Sequence, residues 1–391
     1  MNQLKRVFCL LIAVLLFLPS ISFAEDAATL DEAFDKVFKR YKTTGGVIVV
    51  AREGEIVYQR NYGYAYARDK EEVTDDTYFR IASVSKLVSA MHVMQLVEDG
   101  LLDLDTDISE YFGYTIRNFR YKDVPITLRQ LMSHTSSINS EGGYTYNQEA
   151  TVQEMLSLES RRGSNYLKFA PGTEYVYSNF GAGLMGSLIE LATGKNLNDS
   201  ITERLFAPLN IDASYAPTLL NDPEKVTYLY SEEGKVVKGR SKILSDPWDE
   251  SVNPELHFRS VPGRIWIKGR DLCRLGMVLC QGGTLDGQVL LQPETIAAMQ
   301  EDQKGKPGIS CDSRYGLCVY RESLLLEDRL VYGHQGMSNG LVAGLFYEPQ
   351  SQFVVAIITN GSDSRQDHRL TIINRKLFAL AWEHFGENAG Q

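Results

Sequence analysis

Cysteine is scarce in this chain of 391 residues: there are five, and one of them, Cys9, sits in the first apolar run. No pair is spaced C-x-x-C and the six histidines show no ligand spacing, so no structural metal site is expected. Positive charge is also in deficit, with 40 Lys and Arg against 50 Asp and Glu and a net charge of −10. Without a basic stripe the chain is a poor match for a phosphate backbone, and nucleic acid is not expected as a partner. After residue 18 no apolar run approaches the roughly 20 residues needed to cross a bilayer as a helix. Internal repeats and low-complexity tracts are absent as well. An ordinary apolar fraction of 43% then points to a globular chain rather than a fibrous or disordered one.

The first residues carry a different pattern. Lys5 and Arg6 precede an apolar run from Val7 to Leu18, Pro19 ends it, and Ser22 and Ala24 are small residues at cleavage-site spacing. This reads as a secretory signal peptide, residues 1–24, and as an exported product, periplasmic or secreted, with no stable membrane span after cleavage. Cys9 lacks the small residues that a lipoprotein signal places before it. Export would permit disulfides among Cys273, Cys280, Cys311 and Cys318, with three connectivities open. On a helix, Cys273 and Cys280 stand about 10 Å apart at ~1.5 Å per residue, beyond the ~7 Å limit for a bridge. Cys311 and Cys318 flank a turn-like DSRYGL and could pair; the alternative is four small buried hydrophobes.

Helical spacing of Leu30, Phe34, Val37, Phe38 and Tyr41 predicts a helix over 29–44, ended by Gly45-Gly46. GVIVVAR and IVYQRNYGYA about EGE predict a β-hairpin. Residues 85–98 predict an amphipathic helix, and 101–240 read mainly as helices and loops, with helices at 128–132, 152–158, 181–193 and 197–206. The last third turns to strands at 315–320, 330–332, 340–347 and 353–359, then to a helix over 368–385. Strands at both ends and helices between them predict an α+β fold, in which one antiparallel sheet flanked by helices carries an inserted all-helical lobe. Residues 25–391 then form a single domain, with the sheet lobe about 25–82 and 241–391 and the helical lobe about 83–240. The cleft between the lobes is the expected site.

Three short motifs carry chemistry. Ser83-Val84-Ser85-Lys86 opens a helix, and at spacing i, i+3 the Lys86 amine can reach the Ser83 hydroxyl. Free N–H groups at the helix start favour negative charge, so the serine is a candidate nucleophile. Taken alone, such a tetrapeptide is more often an N-cap serine and a surface lysine. In Tyr177-Ser178-Asn179, the phenol, with an ordinary pKa near 10, could act as a base only if a cation such as Lys86 stabilised its phenolate. Asn179 offers a donor and an acceptor to a substrate amide. In His334-Gln335-Gly336, glycine lets a substrate approach, the Met337 N–H can face an oxyanion, and His334 can supply a donor or cation near a ligand carboxylate. Read singly, the second and third motifs are a loop tyrosine and a hairpin turn.

Their order and spacing together resemble the three motifs of the serine β-lactamase-like and penicillin-binding-protein superfamily, close to class C enzymes and D-Ala-D-Ala carboxypeptidases. ITLRQLMSHTSSI, PGTEYVYSNFG and LFAPLNI extend the similarity over about residues 30–385. The resemblance implies a β-lactamase/transpeptidase-like fold and a serine hydrolase in which Ser83 is acylated, Lys86 and Tyr177 relay its proton, and Asn179, His334, Gly336 and Met337 bind the substrate. It implies no cofactor. Two departures stand out: Ser137 replaces the usual glycine after S-H-T-S, and His334 stands where dedicated penicillinases carry lysine. H-x-G resembles the carboxypeptidase, D-aminopeptidase and esterase branches, which favours peptides with D-residues, a cell-wall stem peptide among them, or small esters. A class C-like β-lactamase is the alternative. A catalytically retired scaffold would usually have lost a motif residue, and all are present here. His92 and His134 read as helix-face and turn residues, and specificity is expected in the loops 139–149 and 218–261.

Overall fold

The computed structural model describes residues 20–141, 144, 149–158, 165–303, 306–307 and 315–386. The start of the expected leader, residues 1–19, lies outside them, as do most of the 139–149 loop and Cys311 with its expected pairing. Helix α1 (Ser20–Arg40) leads into β1 (Gly45–Arg52), β2 (Glu55–Tyr66), β3 (Glu71–Glu72) and β4 (Tyr78–Arg80). Next come α2 (Val84–Glu98), α3 (Leu128–Met132) and α4 (Asn179–Thr193). The C-terminal part supplies β5 (Trp266–Lys268), α5 (Gly269–Cys280), β6 (Tyr320–Glu322), β7 (Val331–Ser338), β8 (Leu341–Glu348), β9 (Phe353–Asn360) and α6 (Ile372–Phe385).

Both chain ends build one antiparallel sheet in the order β6-β7-β8-β9-β1-β2-β3. β1 joins the two halves, pairing with β9 from Gly45↔Asn360 to Arg52↔Phe353 on one side and with β2 on the other. β8 and β9 are buried along their whole lengths. An antiparallel sheet usually wets one face, whereas here helices cover both, so these strands read as continuous apolar runs. Ile48 and Val50 face a core with Phe34, Phe38, Leu377 and Phe378 of α1 and α6. Val47 and Val49 face the other core, shared with α2, α4 and α5.

α2 departs from the amphipathic expectation: every residue from Val84 to Leu96 is buried. A helix enclosed on all sides has no face left for water, and its polar residues Ser85, Lys86, Ser89, His92 and Gln95 are buried with the apolar ones. The segment expected as a strand at 315–320 forms β6 only from Tyr320, with Cys318 in left-handed backbone just before it. Cys273, Cys280 and Cys318 are buried free thiols. Burial pushes the Cys318 thiol up to about 12, which keeps it protonated. Among the described residues no helix is long and apolar enough to cross a membrane.

Candidate active site

The nucleophile turn is built by strand pairing on one side and helix initiation on the other. β4 runs antiparallel to β5, with Arg80 opposite Trp266, and the Ile81 N–H then donates to the Ile265 carbonyl at 3.0 Å. Ala82 reverses the chain at φ +44°, a left-handed conformation that costs a non-glycine residue roughly 1 kcal/mol or more. Ser83 is the N-cap of α2, yet its hydroxyl makes no cap hydrogen bond and is left for other work. Ser85, which no motif singled out, accepts the Ile265 N–H on Oγ at 3.2 Å and ties the turn to the residue just before β5.

Lys86 is fully buried, and its Nζ lies 3.0 Å from Ser83 Oγ and 2.9 Å from the Pro262 carbonyl oxygen, to which it donates. Burial pushes the ammonium down from its ordinary range to about 7, and among the described residues no carboxylate offsets it. A neutral Lys86 keeps a lone pair beside the serine hydroxyl near physiological pH. Its Nζ is also 5.1 Å from the centre of the Tyr177 ring. Tyr177 shows the opposite trend: desolvation pushes its phenol well above the ordinary value, against a hydrogen bond with Ser83. Burial thus disfavours a resting phenolate, the state in which Tyr177 could act as a base.

His134 was expected to be a turn residue, and its φ of +58° agrees, but the ring also reaches the site. It is buried and tilted 4.2 Å from the Tyr177 ring, its carbonyl accepts the Val176 N–H at 2.9 Å, and Nδ1 accepts the Ser178 N–H at 3.2 Å. It thus brackets Tyr177 from both sides along the chain. Ser178 caps α4 through Gly181, and Asn179, half-buried, is the first residue of that helix. Ser137 occupies left-handed backbone at φ +61°, the conformation that suits glycine, and its Oγ accepts from Asn118 Nδ2 at 3.0 Å.

β7 closes the site opposite the helix. A Cβ at Gly336 would lie 2.5 Å from the Ile81 carbonyl oxygen and 2.6 Å from the Ser83 nitrogen, so only glycine lets the strand approach the nucleophile turn. Asn339 and Gly340, both at positive φ, form a two-residue hairpin turn between Ser338 and Leu341. Since that closing pair is hydrogen-bonded, alternation makes Met337↔Val342 a non-bonded pair and turns the Met337 N–H away from β8. His334 differs from expectation. It is buried, its Nδ1 donates to the Gln335 carbonyl at 2.6 Å, and its Nε2 accepts from the Tyr315 hydroxyl at 3.0 Å. Burial, reinforced by Lys86, pushes it down to about 3, so it is neutral with both nitrogens engaged and supplies no cation. Tyr315, which no motif announced, sets that state. Among the described residues no group of acidic, histidine or cysteine side chains could hold a metal.

The sequence matches the beta-lactamase family over residues 30–380. It is 29% identical over 267 residues to the esterase EstB of Burkholderia gladioli, an alignment covering 64% of this chain and 66% of that one. It is 27% identical over 357 residues to penicillin-binding protein 4 of Amycolatopsis lactamdurans, covering 86% of each. A solved class C beta-lactamase superposes with a TM-score of 0.69 at 19% identity, over 92% of this chain and 96% of that one, which speaks for the fold alone. The match across nearly the whole chain means that the chain belongs to the beta-lactamase family of serine hydrolases.

Proposed function

We propose that the protein hydrolyses small esters or amides of D-residue peptides through an acyl-enzyme on Ser83. The observation that carries this reading is the buried Lys86 amine, 3.0 Å from Ser83 Oγ and pushed down to about 7. Ser83 Oγ attacks the substrate carbonyl carbon while its proton passes to Lys86, directly or through the Tyr177 hydroxyl. The oxyanion lies toward the N–H groups of Ser83 and Met337. The C–O or C–N bond then breaks, the leaving group takes the proton back, and water cleaves the ester on Ser83 to free the acid. Asn179 holds the acyl amide, while Gly336 and the neutral His334 shape the wall. No step calls for a cofactor. The similarity to an esterase supports small esters, and the similarity to a penicillin-binding protein supports D-residue ligands such as a cell-wall stem peptide. A neutral His334 speaks against a site built around a cation from that motif. Export to the periplasm or medium, carried by the leader at residues 1–24, belongs to the same reading.

Intact-protein mass spectrometry with a fluorophosphonate and with a fluorescent penicillin tests it. A Ser83-dependent adduct from either probe, absent in Ser83→Ala, is expected. Labelling that persists in Ser83→Ala would move the nucleophile elsewhere. A lasting penicillin adduct would mark a D-peptide enzyme, whereas an adduct from the fluorophosphonate alone would mark an esterase.

A further inference from the structure

β4 and β5 turn one face to the core and the other to the segment 217–246, where Tyr78, Leu220, Val226, Ile243 and Trp266 pack. Between that segment and the strands lies a pocket of about 260 Å³ whose charged walls are Arg80, Lys238, Asp246 and Arg264. At about 30 Å³ per water, this is room for a small organic anion. Three cations thus face one carboxylate, and Lys238 is already paired with it. Arg80 spends Nε on the Gly263 carbonyl at 2.6 Å. The Arg264 guanidinium shows no hydrogen bond among the described residues; it lies over the Trp248 ring at 5.9 Å and feels the Asp246 charge.

Guanidinium groups keep their charge when buried. Two of them, both partly buried and with the Arg264 charge acting on Arg80, are offset among the pocket's lining residues by Asp246 alone, which Lys238 already engages. Their planar donor forks suit a carboxylate or phosphate. The pocket's arginines stand close along the chain to the acylation residues, none of which lines it. Pro262 accepts from Lys86, Gly263 accepts from Arg80, and Arg264 follows directly, while Arg80 lies three residues before Ser83. The geometry points to a small-anion subsite in which Arg80 and Arg264 hold the carboxylate or phosphate of a ligand beside the nucleophile turn. That anion comes either from the acyl part of the substrate, an arm resting on the Ser83 reading, or from a free anion.

Calorimetric titration of succinate and of inorganic phosphate into the Ser83→Ala protein measures binding without turnover. Both anions are expected to bind, Arg264→Gln to weaken them roughly tenfold or more, and Asp246→Asn to tighten them. The second variant keeps the test open if the first does not fold, which circular dichroism will show. In the active protein, a KM for mono-p-nitrophenyl succinate below that for p-nitrophenyl butyrate, raised by Arg264→Gln, assigns the anion to the substrate. Equal KM values with phosphate still bound assign it to a free anion. A protein that fails to acylate yet binds phosphate through Arg264 would sink the Ser83 reading and leave the subsite standing. Absence of binding by both anions, or binding indifferent to both variants, overturns the subsite.

Discussion

The base of this site is made by what surrounds one lysine. Lys86 is buried on its helix, and among the described residues its Nζ hydrogen-bonds a hydroxyl and a carbonyl, neither of which carries charge. Below about pH 7 the amine is protonated and its lone pair is gone; above it, the amine can take the Ser83 proton. The value of kcat/KM for a neutral ester should therefore rise with pH through a limb near 7. A stopped or continuous ester assay across that limb checks it, and a flat profile would place the base elsewhere. Ser83 and Lys86 were legible through their i, i+3 spacing, and Tyr177 and His334 through the order of three short motifs along the chain. Their protonation states were not, since burial and the Tyr315 hydroxyl come from distant segments.

At the scale of elements, one strand and one helix start must nearly touch. Gly336 is the contact point, and its missing side chain, rather than its backbone freedom, is what the packing uses. Gly336→Ala should push β7 away from the Ser83 turn, with overpacking on the order of 1–3 kcal/mol. Displacing the Met337 N–H by a fraction of an ångström should lower kcat/KM by roughly 10²-fold. Paired thermal melts and ester kinetics measure both effects; an alanine variant with native kcat/KM would show that this approach does not set the oxyanion site. The hairpin at the start of the chain and the strands near its end were readable from apolar runs bounded by turn residues. The enclosure of α2 was not, because a buried helix and an amphipathic one differ in what lies against their polar positions. His92 is one such position: its Nε2 lies 2.9 Å from Ser200 Oγ and its Nδ1 3.1 Å from Gln95 Oε1.

Across the whole molecule, burying neutral imidazoles links stability to pH. His92 is pushed down from 6.5 to about 4 and His334 to about 3, chiefly by desolvation. The unfolded chain then binds more protons than the folded one below 6.5, so these groups contribute stability that is complete above 6.5 and lost as pH falls toward 4. The melting temperature should drop across that window. His92→Gln, which can retain a side-chain hydrogen bond, should reduce the slope. Differential scanning calorimetry at stepped pH reads this directly, and an unchanged slope in the variant would remove His92 from the linkage. Near pH 4 the penalty should reach the order of a few kcal/mol, at about 1.4 kcal/mol per pH unit for each group.

The linear sequence determined the local facts: where strands and helices lie, that Ser83 and Lys86 share a helix face, and that both ends of the chain are strand-forming. Periodicity and i, i+3 spacing need only near neighbours. Tertiary structure decided what depends on long-range approach. It placed His134 behind Tyr177, engaged both nitrogens of His334, drew β7 onto the nucleophile turn, and set Arg80 and Arg264 around one pocket. Charge state, strand-to-turn distance and pocket electrostatics are properties of groups far apart in the chain, and they exist only after the sheet and the helical insertion have packed together.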